Sequence, residues 1–453
     1  MQEGGYGMNM PGEIPPARVF ERTIQAGETQ AKEWHWVERS VWTDRMLEAL
    51  DKGVKGGIWF SLIDKVVRPC TLQAAWALVK ANKGSAGSDH QSIDEFESGL
   101  AGNLCQLERE LNSGQYHPRP IRRVYIDKPG SKEKRPLGIP AVRDRVVQAA
   151  LRLVIEPIFE REFAPRSYGF RPGLGCKDAL REVERYLKAG YTHVVDADLS
   201  AYFDSIPHER LMDEVRRRIA DGRVLELLGM FMKQQVLEDM KLWTPEQGTP
   251  QGAVISPLLA NLYLHSVDVC MAKAGYVMVR YADDLVVLCQ SNEEAEQALA
   301  FMQSLVTEKG LVLHPIKTRL VDATIPGIGF DFLGYHFERG TRWPRKKSLK
   351  KFKDSIREKT GRSNGNSLEA IILRVNLTLR GWFEYFKHSN WRTFKPLDGW
   401  IRRRLRSILR RRENRKGMSR GWDNLHWPNK FFSKYGLFSL AAAHASLLQS
   451  LIR

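Results

Sequence analysis

The first three quarters of the chain alternate between helical and strand-like patterns of apolar residues. Apolar positions that recur every three to four residues predict helices within residues 34–111, 144–159, 207–219 and 252–264. Short apolar runs bounded by polar turns predict strands at residues 121–126, 135–140 and 192–199, with two more inside residues 277–288. Helices and strands that alternate without an internal repeat predict a mixed fold of the α/β (α+β) class.

The last quarter of the chain has helical patterns only. Three helices are predicted there, at residues 348–359, 367–387 and 397–412. The third helix carries a narrow apolar stripe at Leu397, Ile401, Leu405 and Ile408. Arginines occupy most of the other positions of this helix. We therefore expect a separate helical unit that buries one side of the third helix and presents cations on the rest.

Positive charge is concentrated in that helical segment. The 453-residue chain has a formal net charge of +17, and residues 341–420 hold 25 Lys and Arg against six Asp and Glu. The remaining residues together are close to neutral. An excess of cations on one helical unit indicates a polyanionic partner such as a nucleic acid.

Cysteine usage and the apolar runs exclude several classes of protein. The five cysteines lie far apart without a C-x-x-C pair, which argues against a structural zinc module or a dense disulfide framework and favours a reducing compartment. The first twenty residues lack a basic start followed by an apolar core, so we predict no secretory signal. The longest uncharged run, residues 435–452, has an amphipathic stripe, so we predict a helix of a soluble protein and no membrane span.

Three acidic residues are candidates for phosphoryl-transfer chemistry. Asp283 and Asp284 stand side by side between two apolar strands, and Asp198 ends a separate apolar strand. If these strands are neighbours, three carboxylates meet at one edge of a sheet, as a pair of divalent cations requires. Asp196 lies on the same strand face as Asp198 and competes with it as a ligand. An ordinary polar turn at residues 283 and 284 is the alternative.

Six motifs occur in an order typical of one enzyme class. They are RPLGIP at residues 135–140, SYGFRP at 167–172, DLSAYFD at 198–204, GTPQGAVISP at 248–257, YADD at 281–284 and FLGY at 332–335. From about Trp59 to Trp400 the chain resembles the reverse transcriptases encoded by group II introns. The resemblance implies a right-hand polymerase, with fingers and a palm built on a ferredoxin-like antiparallel sheet, followed by a helical thumb and maturase domain.

The resemblance also implies a division into four regions. These are a partly mobile leader at residues 1–58, the fingers and palm at 59–340, the basic thumb and maturase domain at 341–415, and a C-terminal extension at 416–453. Many relatives end with a zinc-supported H-N-H endonuclease domain. Because the residues after Gly421 are few and include no cysteine, we expect this chain to have no such domain.

Carried over residue by residue, the resemblance makes Asp198, Asp283 and Asp284 the catalytic ligands of two Mg²⁺ ions. It also implies a set of nucleotide-binding residues: Lys128, Arg135, Phe203, Gln251, Gly252, Tyr281 and Lys317. Phe203 would exclude the 2′-hydroxyl of a ribonucleotide, whereas a core aromatic is the alternative. Lys317 matches a lysine that donates a proton to pyrophosphate, although a surface lysine explains the residue nearly as well. Asp204 is expected to order the following turn rather than to bind metal.

The expected partners follow from the same resemblance. They are a group II intron RNA, an RNA template with a DNA primer, dNTPs and target DNA, in a ribonucleoprotein of the bacterial cytoplasm, and a homodimer is left open. The candidate RNA-binding residues are Arg402, Arg403, Arg404, Arg406, Arg410 and Arg411. The leading hypothesis is an RNA-directed DNA polymerase that also assists splicing of its intron. An RNA-binding maturase with vestigial polymerase activity and a host-adopted reverse transcriptase for defence or repair are the alternatives.

Overall fold

The chain forms two compact units. The computed structural model describes residues 34–54, 57–127, 134–415, 417 and 419–452. The first unit ends at Val321 and the second begins at Asp322. The boundary predicted after residue 340 therefore lies inside the second unit, and the four predicted regions remain predictions.

The first unit contains twelve described helices and eight described strands. The helices are α1 (Asp44–Lys52), α2 (Ile63–Val66), α3 (Pro69–Asn82), α4 (Ile93–Ser98), α5 (Leu100–Ser113), α6 (Val142–Glu160), α7 (Cys176–Lys188), α8 (Tyr202–Ser205), α9 (His208–Arg216), α10 (Gly222–Met232), α11 (Ser256–Lys273) and α12 (Asn292–Glu308). The strands are β1 (Ile121–Asp127), β2 (Lys134–Ile139), β3 (His193–Asp198), β4 (Val236–Glu238), β5 (Lys241–Trp243), β6 (Val277–Tyr281), β7 (Asp284–Cys289) and β8 (Arg319–Asp322). The last residue of β8 already belongs to the second unit.

These strands form two four-stranded sheets. One has the order β2–β1–β4–β5, with β1 antiparallel to β2 and parallel to β4. The other has the order β6–β7–β3–β8, and β7 is antiparallel to both β6 and β3. The second sheet carries Asp198 and Asp284, and we call it the palm sheet after the palm that the resemblance implies.

Side-chain alternation orients the palm sheet. Val195 and Ala197 of β3 belong to the main hydrophobic core of the first unit, together with Leu285 of β7. Successive side chains of a strand point to opposite faces. Asp196 and Asp198, which alternate with the core residues, are therefore on the face away from this core. Helix α12 packs against β3 and β7 and covers the apolar side.

The second unit has a small sheet and a helical bundle. Its antiparallel strands are β9 (Phe330–Phe332), β10 (Tyr335–Glu338) and β11 (Thr341–Pro344). Its helices are α13 (Lys346–Lys359), α14 (Leu368–Phe386), α15 (Phe394–Arg412), α16 (Gly421–His426), α17 (Asn429–Lys434) and α18 (Leu440–Ile452). Buried apolar residues of all six helices or their flanks, including Ile356, Ile372 and Leu405, form its core. The buried carboxylate of Asp398 on α15 accepts hydrogen bonds from the backbone N–H groups of Leu440 and Ala441, which fixes the start of α18.

The sequence patterns predicted most element types correctly. The hairpin at residues 121–140, the strand at 192–199 and the three basic helices are confirmed with small shifts of their ends. The helix predicted to begin at residue 252 begins instead at Ser256, because residues 248–255 form an extended turn before it. Within the described ranges, no helix combines the length and the apolar character that crossing a membrane requires.

Candidate active site

The three candidate catalytic aspartates converge at one end of the palm sheet. Asp198 at the end of β3 is the register partner of Asp284 at the start of β7. Directly opposite residues of an antiparallel pair point to the same face, with their Cβ atoms about 4.5–5.5 Å apart. Asp283 immediately precedes Asp284 in the two-residue turn that joins β6 to β7. Two acidic groups from distant parts of the chain therefore face each other, and the third lies in the adjacent turn.

The local environment of Asp283 disfavours the charged form of its carboxyl. Burial raises the pKa of the Asp283 carboxyl, and the negative charge of Asp198 raises this pKa further. The positive charges of Arg135 and Lys317 act in the opposite direction. The Nζ of Lys317 lies 2.7 Å from Oδ2 of Asp198. The charged forms of Asp198 and Asp283 therefore need positive charge nearby, and Lys317 and Arg135 supply it in the protein without bound ions.

The donor chemistry fits a hard divalent cation. Paired carboxylates at a strand end are oxygen ligands of the kind that Mg²⁺ prefers. Like charges directly opposite each other in a sheet are destabilising, so a bound cation relieves a cost that the register imposes. Among the residues that the structure describes, however, no three His, Cys, Asp or Glu side chains are already arranged around an ion position. Because Lys317 forms an ion pair with Asp198, a cation that binds this carboxylate competes with Lys317.

The competing ligand Asp196 has a different partner. Its carboxylate forms an ion pair with Arg319 of β8, at an N–O distance of 3.0 Å. Asp196 is opposite Val286, in the middle of β7, whereas Asp198 is opposite Asp284. The sheet register therefore favours Asp198 over Asp196 as the residue that shares a cation with Asp284.

Phe203 and Gln251 lie on two segments that are tied together beside the aspartates. The backbone N–H of Thr249 donates to the carbonyl oxygen of Phe203 at 2.6 Å. The side-chain amide of Gln251 donates to the carboxylate of Asp204 at 3.1 Å. Phe203 is half-buried and packs against the main core, so both the gate and the core-aromatic interpretations fit its position. Asp204 accepts this bond from Gln251, and its role in ordering the turn before Pro207 stays a prediction.

Gly252 is required by a close backbone contact. Its φ is +109°, and a Cβ at this position would lie 2.4 Å from the carbonyl oxygen of Gly138 on β2. In the same place, the N–H of Gly138 donates to the carbonyl of Gln251 at 2.7 Å. The sequence pattern attributed the glycine to the approach of a nucleotide. The structure adds a second reason, because the glycine lets strand β2 touch the segment before α11.

The remaining nucleotide-binding candidates differ in what the structure reports. Arg135 is exposed on β2, and its positive charge partly offsets the burial that raises the pKa of Asp204 and of Asp283, which indicates that Arg135 lies beside the site. Burial, together with a hydrogen bond involving the Cys176 thiol, raises the pKa of Tyr281 to about 12. Tyr281 also contacts the ring of Phe170, with a centroid distance of 6.5 Å. Lys128 lies outside the described residues.

A buried arginine next to the turn at residues 282 and 283, which we call the catalytic turn, was not among the predicted site residues. Arg280 is 1% exposed, and its Nε and Nη2 donate to the two carboxylate oxygens of Asp268 at 2.7 and 2.5 Å. Burial alone would lower the pKa of Arg280, but the charge of Asp268 outweighs it and the pKa is raised. The only signal in the sequence is a charged residue inside the apolar strand VMVRY, which requires a buried partner.

The candidate RNA-binding arginines of α15 fall into two groups. Arg406 is 5% exposed and donates to the carbonyl of Trp427, and burial lowers its pKa. Arg410 forms an ion pair with the fully buried Asp423, and Arg404 donates to the hydroxyl and carbonyl of Thr360. These three arginines hold the second unit together. The rest of the predicted set is exposed or half-exposed, at Arg402, Arg403 and Arg411.

Comparison with protein families gives two matches that follow each other along the chain. The family described as "Reverse transcriptase (RNA-dependent DNA polymerase)" matches residues 126–337. The family described as "Group II intron, maturase-specific domain" matches residues 349–426. The first match contains the three aspartates, and the second contains α14 and α15.

Individual relatives agree with these matches. Protein YkfC of Escherichia coli K12 is 33% identical over 361 residues, which cover 70% of this chain and 92% of YkfC. The group II intron-encoded protein LtrA of Lactococcus lactis subsp. cremoris is 35% identical over 230 residues, which cover 50% of this chain and 38% of LtrA.

Solved structures give more distant matches. A partial Cas6-RT-Cas1–Cas2 complex covers 55% of this chain and 42% of its own, at 22% identity and a TM-score of 0.36. The telomerase of Candida albicans with a TWJ fragment of telomeric RNA covers 65% and 58%, at 14% identity and a TM-score of 0.38.

Proposed function

The chain belongs to the group II intron-encoded reverse transcriptase and maturase family and is an RNA-directed DNA polymerase, and from this premise we propose how it works. Two Mg²⁺ ions bind at Asp198, Asp283 and Asp284 and support synthesis of cDNA on a primed RNA template. The second unit binds a group II intron RNA and assists its splicing. The observation that carries the catalytic part is the register of the palm sheet, which sets Asp198 opposite Asp284.

The residues around the aspartates have separate tasks in this proposal. When bound, the two ions activate the primer 3′-hydroxyl and neutralise charge on the triphosphate and the leaving pyrophosphate. Lys317 neutralises Asp198 in the free protein and contacts the triphosphate when an ion takes its place. Arg135 extends its positive charge over the same site and binds phosphate oxygens, for which its planar guanidinium is suited.

Selection of the nucleotide is assigned to the segments that meet beside β3. Gln251 and Gly252 line the place where the incoming dNTP lies, and Tyr281 supports it from the other strand. Phe203 excludes a 2′-hydroxyl because its ring occupies the space beside the sugar. The backbone bond from Thr249 to Phe203 supports this arrangement, since it fixes the gate residue to the segment that carries Gln251.

RNA binding is assigned to the exposed cations of the second unit. Arg403 and Arg411 are exposed on α15 and Arg402 is half-exposed, whereas Arg404, Arg406 and Arg410 are engaged within the unit. Exposed guanidinium groups bind RNA phosphates and release counterions, which gives a salt-dependent affinity. We place the protein with its RNA in a cytoplasmic ribonucleoprotein, with target DNA and a homodimer as further proposals.

One substitution tests the catalytic assignment. Asp283→Asn keeps the size of the side chain and removes its charge, so we expect the protein to stay folded and primer extension on RNA to be lost. Intron RNA binding should be unchanged, because the RNA-binding residues lie in the other unit. Asp94→Asn, at an exposed carboxylate of α4, is the matched control and should keep full activity.

The two activities are measured on the same preparations. Primer extension is followed with an RNA template and a DNA primer, and binding is followed by filter retention of a labelled intron RNA. If Asp283→Asn copies RNA at the rate of the wild type, the metal assignment is wrong. A wild-type protein that binds the RNA but copies nothing at any Mg²⁺ concentration would instead favour the maturase with a vestigial polymerase.

A further inference from the structure

The catalytic turn is supported from below by a buried polar cluster. We define this cluster as Arg280, Asp268, Asn261 and the carbonyl of Ala282. Arg280 belongs to β6, whereas Asp268 and Asn261 lie on α11, and all three side chains are at most 5% exposed. A buried guanidinium is tolerated only when its donors are satisfied, so this cluster exists because each member has a partner.

The guanidinium of Arg280 makes four hydrogen bonds in three directions. Nε and Nη2 bind the two carboxylate oxygens of Asp268 at 2.7 and 2.5 Å. Nη1 donates to the side-chain oxygen of Asn261 at 2.9 Å and to the carbonyl oxygen of Ala282 at 3.1 Å. Helix α11 is thereby connected to the backbone of the turn through one side chain.

The hydrogen bond to the carbonyl of Ala282 connects the cluster to Asp283, the next residue of the chain. Ala282 has a φ of +58°, which a residue with a side chain rarely adopts. Its carbonyl belongs to the planar peptide unit whose other end is the N–H of Asp283. A hydrogen bond to this carbonyl therefore fixes the plane from which the Asp283 side chain extends, and it offsets the strain at Ala282.

The same turn is held from its other side by the loop at residues 166–169. The N–H of Tyr168 donates to the carbonyl of Arg280 at 2.9 Å, and the N–H of Arg280 donates to the carbonyl of Arg166 at 2.9 Å. The side-chain amide of Asn261 donates to the carbonyl of Gly169 at 2.6 Å. Asn261 thus joins the loop to the guanidinium of Arg280. The turn and the residue before it are hydrogen-bonded both to this cluster and to the loop.

We infer that Arg280 is a positioning residue of the polymerase: held by Asp268 and Asn261, it sets the orientation of the Ala282–Asp283 peptide and with it the geometry of the metal-binding carboxylates. The inference rests on the proposed function, since it concerns the same aspartates. It goes beyond it because it assigns a role to residues outside the proposed metal-binding and nucleotide-binding sets. A lysine keeps the charge but has one nitrogen, so it cannot bind Asp268 in a fork and also reach Asn261 and Ala282.

The test compares Arg280→Lys and Asp268→Asn with the wild type. The matched control is Glu214→Gln, which removes another buried carboxylate from an ion pair, with Lys309, that does not involve the turn. We expect all three proteins to fold and to bind primer–template. For both cluster variants kcat should fall roughly 10- to 100-fold, as for a reacting group misplaced by up to about 1 Å, while KM for dNTP changes less than about twofold.

A readout independent of turnover is the binding of Mn²⁺, measured by electron paramagnetic resonance on the protein with a chain-terminated primer. Affinity should fall in Arg280→Lys and Asp268→Asn and stay unchanged in Glu214→Gln. Thermal unfolding of each variant gives the folded fraction for normalisation.

Two results would overturn the inference while leaving the proposed function intact. One is a kcat per folded molecule, and a Mn²⁺ affinity, equal to those of the wild type in both cluster variants. The other is an equal loss in Glu214→Gln, which would mean that any buried ion pair of the unit has the same effect. An inactive wild type, by contrast, would contradict the proposed function itself.

Discussion

Gly169 offers a direct way to move the catalytic turn without changing any polar group. The residue is buried against the turn, and a Cβ built on it would lie 2.3 Å from the backbone nitrogen of Ala282 and 2.9 Å from the carbonyl carbon of Tyr281. Both neighbours are main-chain atoms, so no flexible side chain can rotate away. Gly169→Ala therefore forces the loop and the turn apart.

The displacement can be worked out from these contacts. Real Cβ contacts are essentially never shorter than 3.0 Å, whereas the added Cβ would lie 2.3 Å from the backbone nitrogen of Ala282. These two atoms therefore have to move apart by at least about 0.7 Å. A misplacement of about 1 Å at a reacting group can lower the rate roughly 100-fold. We therefore expect kcat to fall between about 10- and 100-fold. Overpacking of this kind typically destabilises a protein by about 1–3 kcal/mol, so the variant should remain folded at moderate temperature.

The assay is steady-state extension of a DNA primer on an RNA template, with thermal unfolding in parallel. Gly229→Ala is the matched control, because nothing lies within 4 Å of a Cβ at this position on α10. It replaces glycine by alanine inside a helix and should leave kcat unchanged and raise stability by up to about 1 kcal/mol. If Gly169→Ala copies RNA as fast as the wild type and melts at the same temperature, the turn accommodates a methyl group and the reasoning fails.

Three further predictions concern other parts of the molecule. Phe203→Val should raise incorporation of ribonucleotides relative to deoxynucleotides by roughly tenfold, measured as the ratio of kcat/KM values, and an unchanged ratio would remove the gate assignment. Burial raises the pKa of Asp144 to about 6, so the folded state binds this proton more tightly than the unfolded state. The free energy of unfolding, measured by urea titration, should therefore rise by about 1 kcal/mol when the pH is lowered from 7.5 to 5. This rise should be absent in Asp144→Asn. Replacing the exposed Arg403 and Arg411 by Gln should reduce the slope of log affinity for duplex RNA against log salt concentration by about 0.9 per residue. Arg406→Gln should chiefly lower thermal stability, because this arginine is bonded within the unit. A changed salt slope in Arg406→Gln and an unchanged slope in the other two variants would contradict the division of the arginines.

The periodicity of apolar residues was sufficient for the elements that carry the site. The strands β3, β6 and β7 and the basic helix α15 were predicted close to their observed ends. Local spacing decides these elements, because a strand or helix must bury one face whatever it packs against. The resemblance carried by the motifs then implied that Asp198 shares a metal site with Asp283 and Asp284, and the register of β3 and β7 is compatible with it.

The roles of individual charged residues could not be read in the same way. The six candidate arginines of α15 look equivalent in the sequence, yet Arg406 and Arg410 are engaged by Trp427 and Asp423, which lie on the following segments. Their partners are set by how later helices pack, and no spacing within α15 reports it. Which of the arginines remain exposed therefore depends on the tertiary structure of the second unit.

The sequence by itself predicted three candidate acids, the elements that present them and the concentration of positive charge in one helical region. Tertiary structure alone decided that Arg280 is joined to Asp268 and Asn261, that Gly252 meets Gly138, and which cations remain open to a polyanion. The physical reason is that backbone periodicity is a local property of the chain. The pairing of a buried charge, or the contact of two backbones, depends on residues that only packing brings together.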